Sequence, residues 1–323
     1  MKNKTKKIVK TLGLLVPTTA VASIAFLSTT KYLVNTALDR EAPKAMKRAE
    51  KRLSGPKPDE GTAGEFKAAA QKLMERENET VEAIAHDGTT LIGHWVPCEN
   101  AKRVIIAVHG WRSTWYKDFG MISDFWESND CSVLYVEQRG QSSSGGDHMG
   151  FGLIERYDCL VWVNWVTDRC GSKLPIYLSG VSMGATTVLM AAGFALPGNV
   201  RGMIGDCGFT SPHAIWKYVA NRNLHIPFAL RGTVAKALCK KKIQIGSDDY
   251  STTDALQTSS VPILLIHGTD DHFVPIEMTY ENYKACTSPK KLFVVPGAGH
   301  GMSYYRDKDG YEAAVQDFWR QFD

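Results

Sequence analysis

The chain reads as an α/β protein: a mostly parallel sheet of eight strands with helices on both faces, a helical insertion above it and a hydrophobic helix at the N-terminus. Three observations carry this expectation. Short β-branched apolar runs recur from about residue 80 onward, separated by amphipathic stretches, the pattern of parallel strands joined by crossover helices. A length of 323 residues with 44% hydrophobic and 22% charged content supports one large buried core. One connection, about 208–260, is far longer than a crossover requires.

In chain order, Lys2, Lys4, Lys6, Lys7 and Lys10 precede a window, 11–30, that carries no charge. About twenty helical residues suffice to cross the hydrocarbon core of a bilayer, so 1–38 reads as a membrane anchor or a signal segment, with a buried or surface helix as the plainer alternative. Cleavage after Ala20-Val21-Ala22 would leave a secreted protein. Apolar residues continue through Ile24, Phe26 and Leu27 to Leu33 and Val34, which favours an uncleaved anchor with the lysines on the cytoplasmic side and the folded part outside the cytoplasm. Residues 39–79 are charged and rich in Ala, Lys and Glu. The breaks at Ser54-Gly55-Pro56-Lys57-Pro58, Gly61 and Gly64 mark them as a linker between two helical pieces.

The globular domain is expected over 80–323. Runs at 81–86 and 90–96 flank Asp87-Gly88, a hairpin signal. Buried strands follow at 104–108, 133–136, 176–178, 200–204, 263–266 and 292–295, with helices near 115–128, 153–170, 183–195, 276–286 and 309–322. The 208–260 insertion carries helical patterns of its own and is expected to cap the sheet.

Composition excludes some partners. The net charge of +4 comes largely from the N-terminal lysines, so nothing suggests nucleic acid. Seven scattered cysteines form no Cys-x-x-Cys pair and read as small buried apolar residues rather than metal ligands. No metal or organic cofactor is expected.

The chemistry sits in the loops after strands. Gly180-Val181-Ser182-Met183-Gly184 follows a strand and opens a helix, placing Ser182 on a tight turn where only glycine tolerates the close backbone approach. A serine hydroxyl needs a base, and the base needs an anion to hold its tautomer. Downstream, Gly299-His300-Gly301 presents a histidine after a strand. Asp270 and Asp271 follow the strand before it, and Asp206 ends an earlier one. His109-Gly110-Trp111 follows the 104–108 strand, so the backbone N–H groups of Trp111 and Met183 are the expected donors to an oxyanion. His109 itself is expected to be a structural hydrogen-bonding residue. Trp111, Trp115, Tyr116, Trp216, Tyr218 and Phe228 are candidates to line an apolar pocket; the plainer alternative is that most of them pack the cap onto the sheet.

Taken in order, His109-Gly110, Gly180-Val181-Ser182-Met183-Gly184, His267-Gly268 with Asp271 four residues after the histidine, and Gly299-His300-Gly301 make the chain resemble the α/β-hydrolase superfamily. The likeness runs from about residue 80 to the C-terminus. In members with the His-Gly-x-x-Asp-x-x-Val-Pro pattern that aspartate is the acid of the triad, which falls here on Asp271. Glu137-Gln138-Arg139-Gly140-Gln141-Ser142 is similar to the Asp-x-Arg-Gly-x-Gly-x-Ser segment of esterases, serine aminopeptidase-like hydrolases and prolyl-oligopeptidase relatives, with Glu in place of the first Asp and without the second glycine. The whole resembles bacterial membrane-linked, cell-surface serine hydrolases. The resemblance implies an esterase-type hydrolase acting through Ser182, His300 and Asp271 on a small acyl substrate, an ester or a short peptide. An amidase on the same residues and a catalytically silent binding module are the competing readings. With a base of ordinary pKa, activity should fall as pH drops through about 6.5.

Overall fold

The computed structural model describes residues 22–41 and 60–323. Eight strands form one sheet: β1 (Glu79–Ile84), β2 (Thr90–Val96), β3 (Arg103–Val108), β4 (Cys131–Glu137), β5 (Ile176–Val181), β6 (Val200–Asp206), β7 (Ile263–Gly268) and β8 (Lys290–Val295). Their spatial order is β1-β2-β4-β3-β5-β6-β7-β8. β1 and β2 form the antiparallel hairpin expected around Asp87-Gly88, β2 meets β4 antiparallel, and the remaining neighbours are parallel. At the turn, Gly88 takes φ 82° and the Asp87 carboxylate accepts the N–H of Thr89 at 3.1 Å.

β3 and β4 are buried along their whole length, which explains their unbroken apolar sequence: helices cover both faces. On one face pack α5 (Glu155–Cys170) and α6 (Met183–Ala191), with Trp162, Val163, Val188 and Leu189 against the sheet. On the other pack α3 (Trp115–Phe119), α4 (Ser123–Ser128) and the C-terminal α12 (Lys308–Phe322), through Phe119, Trp126, Phe318 and Trp319. The 208–260 insertion comprises α7 (Pro212–Tyr218), a π-helical turn (Val219–Asn223), α8 (Ala229–Ile243) and α9 (Thr252–Thr258). α10 (Ile276–Ala285) follows β7, and the short α11 (Ser303–Arg306) follows β8.

At the N-terminus the described residues begin inside the segment expected as an anchor. The window 11–30 lies mostly outside the described residues, but 22–38 form a helix, α1, whose C-terminal half docks on the domain: Val34 and Leu38 are buried in a third apolar cluster together with Phe151, Phe209 and Phe228. Among the described residues, no helix is long and apolar enough to cross a membrane. Of the 39–79 linker, residues 60–75 form α2 (Glu60–Glu75), and its Gly61 and Gly64 lie inside that helix instead of breaking it. Docking outweighs their low helix propensity: Leu73 is fully buried, and the backbone at Ala69 and Ala70 lies so close to Gly120 that a Cβ there would be 2.7 Å away.

Candidate active site

The turn that carries Ser182 is built from close approaches. Ser182 sits between β5 and α6 at φ 56°, ψ −118°, a conformation costly for a residue with a side chain. Its N–H donates to Asp206 O at 2.8 Å, tying the turn to the end of β6. A Cβ on Gly184 would stand 1.8 Å from Val108 O, and one on Gly180 2.3 Å from Gly184 C, so both flanking glycines are required. The loop after β7 meets the loop after β8 just as tightly, a Cβ on Gly268 falling 2.2 Å from Ala298 O.

These loops bring three distant residues into series. His300 Nε2 lies 2.9 Å from Ser182 Oγ, and His300 Nδ1 lies 2.6 Å from Asp271 Oδ2. The remaining acceptor sites of Asp271 are filled: Oδ1 accepts the N–H groups of Phe273 (2.8 Å) and Val274 (2.9 Å), and Oδ2 also meets His267 Nε2 at 3.1 Å. Burial pushes the Asp271 carboxyl up, but the two histidines and its hydrogen bonds outweigh that and hold it well below the usual carboxylate range. Burial pulls His300 down, whereas Asp271 and the neighbouring Cys207 lift it well above an ordinary histidine.

Asp206, the alternative acid, faces elsewhere. Its Oδ1 accepts from Ser303 Oγ at 2.9 Å, and burial pushes it up to about 6. Asp270 bonds only its neighbour Thr269 through its side chain, at 3.0 Å, as a turn residue. Cys207 carries no motif signal. Its Sγ lies within 4.8 Å of ligand atoms of Asp271 and His300, but burial raises the thiol to about 11, so it stays protonated, and the other two are engaged with each other.

The turn after β3 lies against the nucleophile, with a Cβ on Gly110 falling 3.4 Å from Ser182 Cβ. Asp118 braces it by accepting Gly110 N–H at 2.6 Å and Ser113 Oγ at 2.5 Å, and Gln141 Oε1 accepts Arg112 N–H at 2.6 Å. His109 is fully buried and structural as expected: Nδ1 donates to Gly110 O at 2.8 Å and Nε2 accepts from Gln138 N–H at 3.2 Å. The amides of Trp111 and Met183 have no acceptor among the described residues. Asp118 belongs to no recognisable motif and Gln141 sits in the segment after β4 with no bracing role readable there, so only the fold assigns them this part. Glu137 pairs with His94 at 3.0 Å, and Arg139 grips Asp158 through Nε at 2.6 Å, fixing the loop after β4.

A cavity of about 110 Å³ opens at Ser182. Three of the expected lining residues reach it: Trp111, Trp216 and Phe228. Trp115 and Tyr116 do not. Trp115 is buried in the opposite core, its ring stacked on His94 at 4.4 Å and 5.3 Å from that of Tyr135, and Tyr116 packs edge-on against it. As part of α3 they are turned toward the sheet, which sequence proximity to Trp111 could not reveal. Tyr218 packs within the cap cluster outside the cavity, and Leu230 is 78% exposed. Unforeseen lining comes from Phe151, Phe209 and Phe273, and from Leu33, Val34 and Ala37 of α1.

Sheet order, the strained serine turn and the loops converging on it define the α/β-hydrolase fold. Residues 118–322 match the prolyl oligopeptidase family, and the chain belongs to that family. Among curated proteins it is similar to YqkD of Bacillus subtilis (26% identical over 187 residues, 58% of this chain and 61% of the relative) and to YfhR of Escherichia coli K12 (26% over 249 residues, 74% and 80%). Neither name assigns an activity, and the match spans less than two thirds of the B. subtilis protein. Among solved structures, an esterase from Pyrococcus furiosus superposes with a TM-score of 0.61 at 22% identity, over 78% of this chain and 95% of that one, a likeness of fold.

Proposed function

We propose that the protein is a serine hydrolase that cleaves a carboxylic ester through an acyl-enzyme, with Ser182 as nucleophile, His300 as general base and acid, and Asp271 as the anion that orients the imidazole. The observation that carries this reading is the unbroken Ser182–His300–Asp271 relay at 2.9 and 2.6 Å. With Nδ1–H donating to Asp271, Nε2 is free to accept the proton of Ser182 Oγ as that oxygen bonds to the acyl carbon. The carbonyl oxygen becomes an anion, which the N–H groups of Trp111 and Met183 would receive, each worth roughly 3 kcal/mol at the transition state. Collapse of the adduct breaks the ester C–O bond, and His300 returns its proton to the departing alcohol. Water then repeats the sequence and releases the acid.

Family membership favours a second reading, cleavage of an amide on the same residues. Against an aminopeptidase stands the cavity itself, in which none of the described lining residues is a carboxylate that could pair with a peptide's ammonium group. Labelling with a fluorophosphonate probe tests the nucleophile: the native protein should label and Ser182→Ala should not. Equal labelling of the two would remove Ser182 from the mechanism. A panel of p-nitrophenyl esters beside aminoacyl p-nitroanilides ranks ester against amide, and faster amide turnover would put amide cleavage first. Membrane association through the N-terminal segment, with the domain outside the cytoplasm, is part of the same proposal. It predicts that the full chain sediments with membranes and that a chain lacking residues 1–21 does not.

A further inference from the structure

We infer that the cavity beside Ser182 is an acyl-chain site for an unbranched hydrocarbon acid of medium length, and that helix α1 is the wall that sets its length. This rests on the hydrolase reading above and adds the substrate class. The walls are almost wholly apolar, with Trp111, Phe151, Phe209, Trp216 and Phe228 facing aliphatic side chains. The few polar groups at its edge are spent or hidden. Trp111 Nε1 donates to Ala37 O at 3.0 Å, Thr30 Oγ1 donates to Phe26 O at 2.8 Å, and Arg231 Nη1 donates to Thr30 Oγ1 at 3.2 Å. The unpaired nitrogens Trp216 Nε1 and Arg231 Nε are screened from solvent. Apart from those two donors the walls offer almost nothing polar, so a peptidyl acyl group would bury most of its N–H and C=O groups without partners, whereas a hydrocarbon chain loses nothing on entry.

Size narrows the class. A water needs roughly 10–15 Å³ of such space, so a cavity of about 110 Å³ has room for about seven to eleven groups the size of a methylene. Its length on one side is set by α1, whose Thr30, Leu33, Val34 and Ala37 recur at helical spacing and all face the cavity. The helix is held there firmly. Arg112 Nη2 donates to Thr36 O at 3.0 Å, Met149 N–H donates to Leu38 O at 2.7 Å, and the Arg231 guanidinium lies 4.2 Å from the Phe26 ring centre. A segment whose composition reads as an anchor thus contributes a wall of the site.

The test uses the full-length protein with p-nitrophenyl esters from acetate to palmitate. kcat/KM should rise about two- to fourfold per added methylene up to roughly eight carbons and fall beyond about twelve. Leu33→Trp, which fills the cavity from α1, should lower the octanoate-to-acetate ratio of kcat/KM at least tenfold, while Lys31→Trp on the exposed side of α1 keeps the native ratio. Thermal melts and fluorophosphonate labelling of both variants separate a misfolded protein from a narrowed site, and Ala37→Phe serves in place of a Leu33→Trp that fails to fold. Ser182-dependent turnover that declines steadily from acetate, or a chain-length profile identical in native protein, Leu33→Trp and Ala37→Phe, would overturn this inference and leave the hydrolase reading intact. Absence of any Ser182-dependent turnover would instead overturn the hydrolase reading itself.

Discussion

At the scale of the residue, His300 is pulled two ways, down by burial and up by its neighbours, and the upward pull wins. A base works only when deprotonated, so the acid limb of kcat/KM should lie above the 6.5 of an ordinary histidine, higher than the sequence alone suggests. Cys207 and Asp271 are the neighbours that lift it, and of the two Asp271 is held well below the usual carboxylate range, so it is charged at every working pH. Asp271→Asn should therefore move the limb to lower pH and reduce kcat by roughly 10⁴-fold, because the imidazole loses both its anion and its tautomer. A pH–rate profile of the two proteins checks both effects, and an unmoved limb would mean that another group lifts His300. Asp206 makes the opposite kind of prediction. Burial raises its folded pKa to about 6, so the folded state resists losing that proton. The penalty is absent below the unfolded value near 3.9, grows as pH rises from about 4 to 6, and then levels at roughly 3 kcal/mol. Asp206→Asn, which can still accept from Ser303, should raise the unfolding temperature at pH 8 and leave it nearly unchanged at pH 4, as calorimetry at the two pH values would show.

At the scale of the element, the strand-turn-helix around Ser182 depends on glycine for clearance rather than flexibility. Gly184→Ala would drive a methyl into the Val108 carbonyl, so it should destabilise by at least about 3 kcal/mol, visible as loss of soluble expression or a large fall in melting temperature. The Gly-x-Ser-x-Gly spacing made this turn legible from the sequence, because a single local geometry demands it. Trp115 and Tyr116 were not legible in that way. They follow Trp111 within five residues, yet the α3 helical turn sends them into the opposite core while Trp111 stays at the cavity. Gly61 and Gly64 misled for a related reason. Local propensity marks them as breaks, but docking of Leu73 and of the backbone near Ala69 against Gly120 holds α2 together around them.

At the scale of the whole molecule, α1 joins the N-terminal segment to the cap and to the cavity. A chain starting at residue 42 would expose the cluster that Val34 and Leu38 help close. Burying two such side chains is worth about 3 kcal/mol or more, so its melting temperature should drop on the order of 10 °C in a scanning calorimeter. An unchanged melt would mean that α1 docks only weakly. The sequence by itself determined the sheet, its eight strands, the serine turn and the histidine loop, because alternation, β-branched runs and glycine spacing are imposed by local backbone geometry. With the family resemblance it also singled out Asp271 from three candidate acids. Only the tertiary structure decided which aromatic rings face the cavity, which groups brace the turn after β3, and that a helix from the N-terminal segment lines the cavity at Ser182. Those depend on where surfaces distant in the chain meet, and a side chain's partner across 74 residues, such as Ala37 for Trp111, leaves no trace in its own neighbourhood.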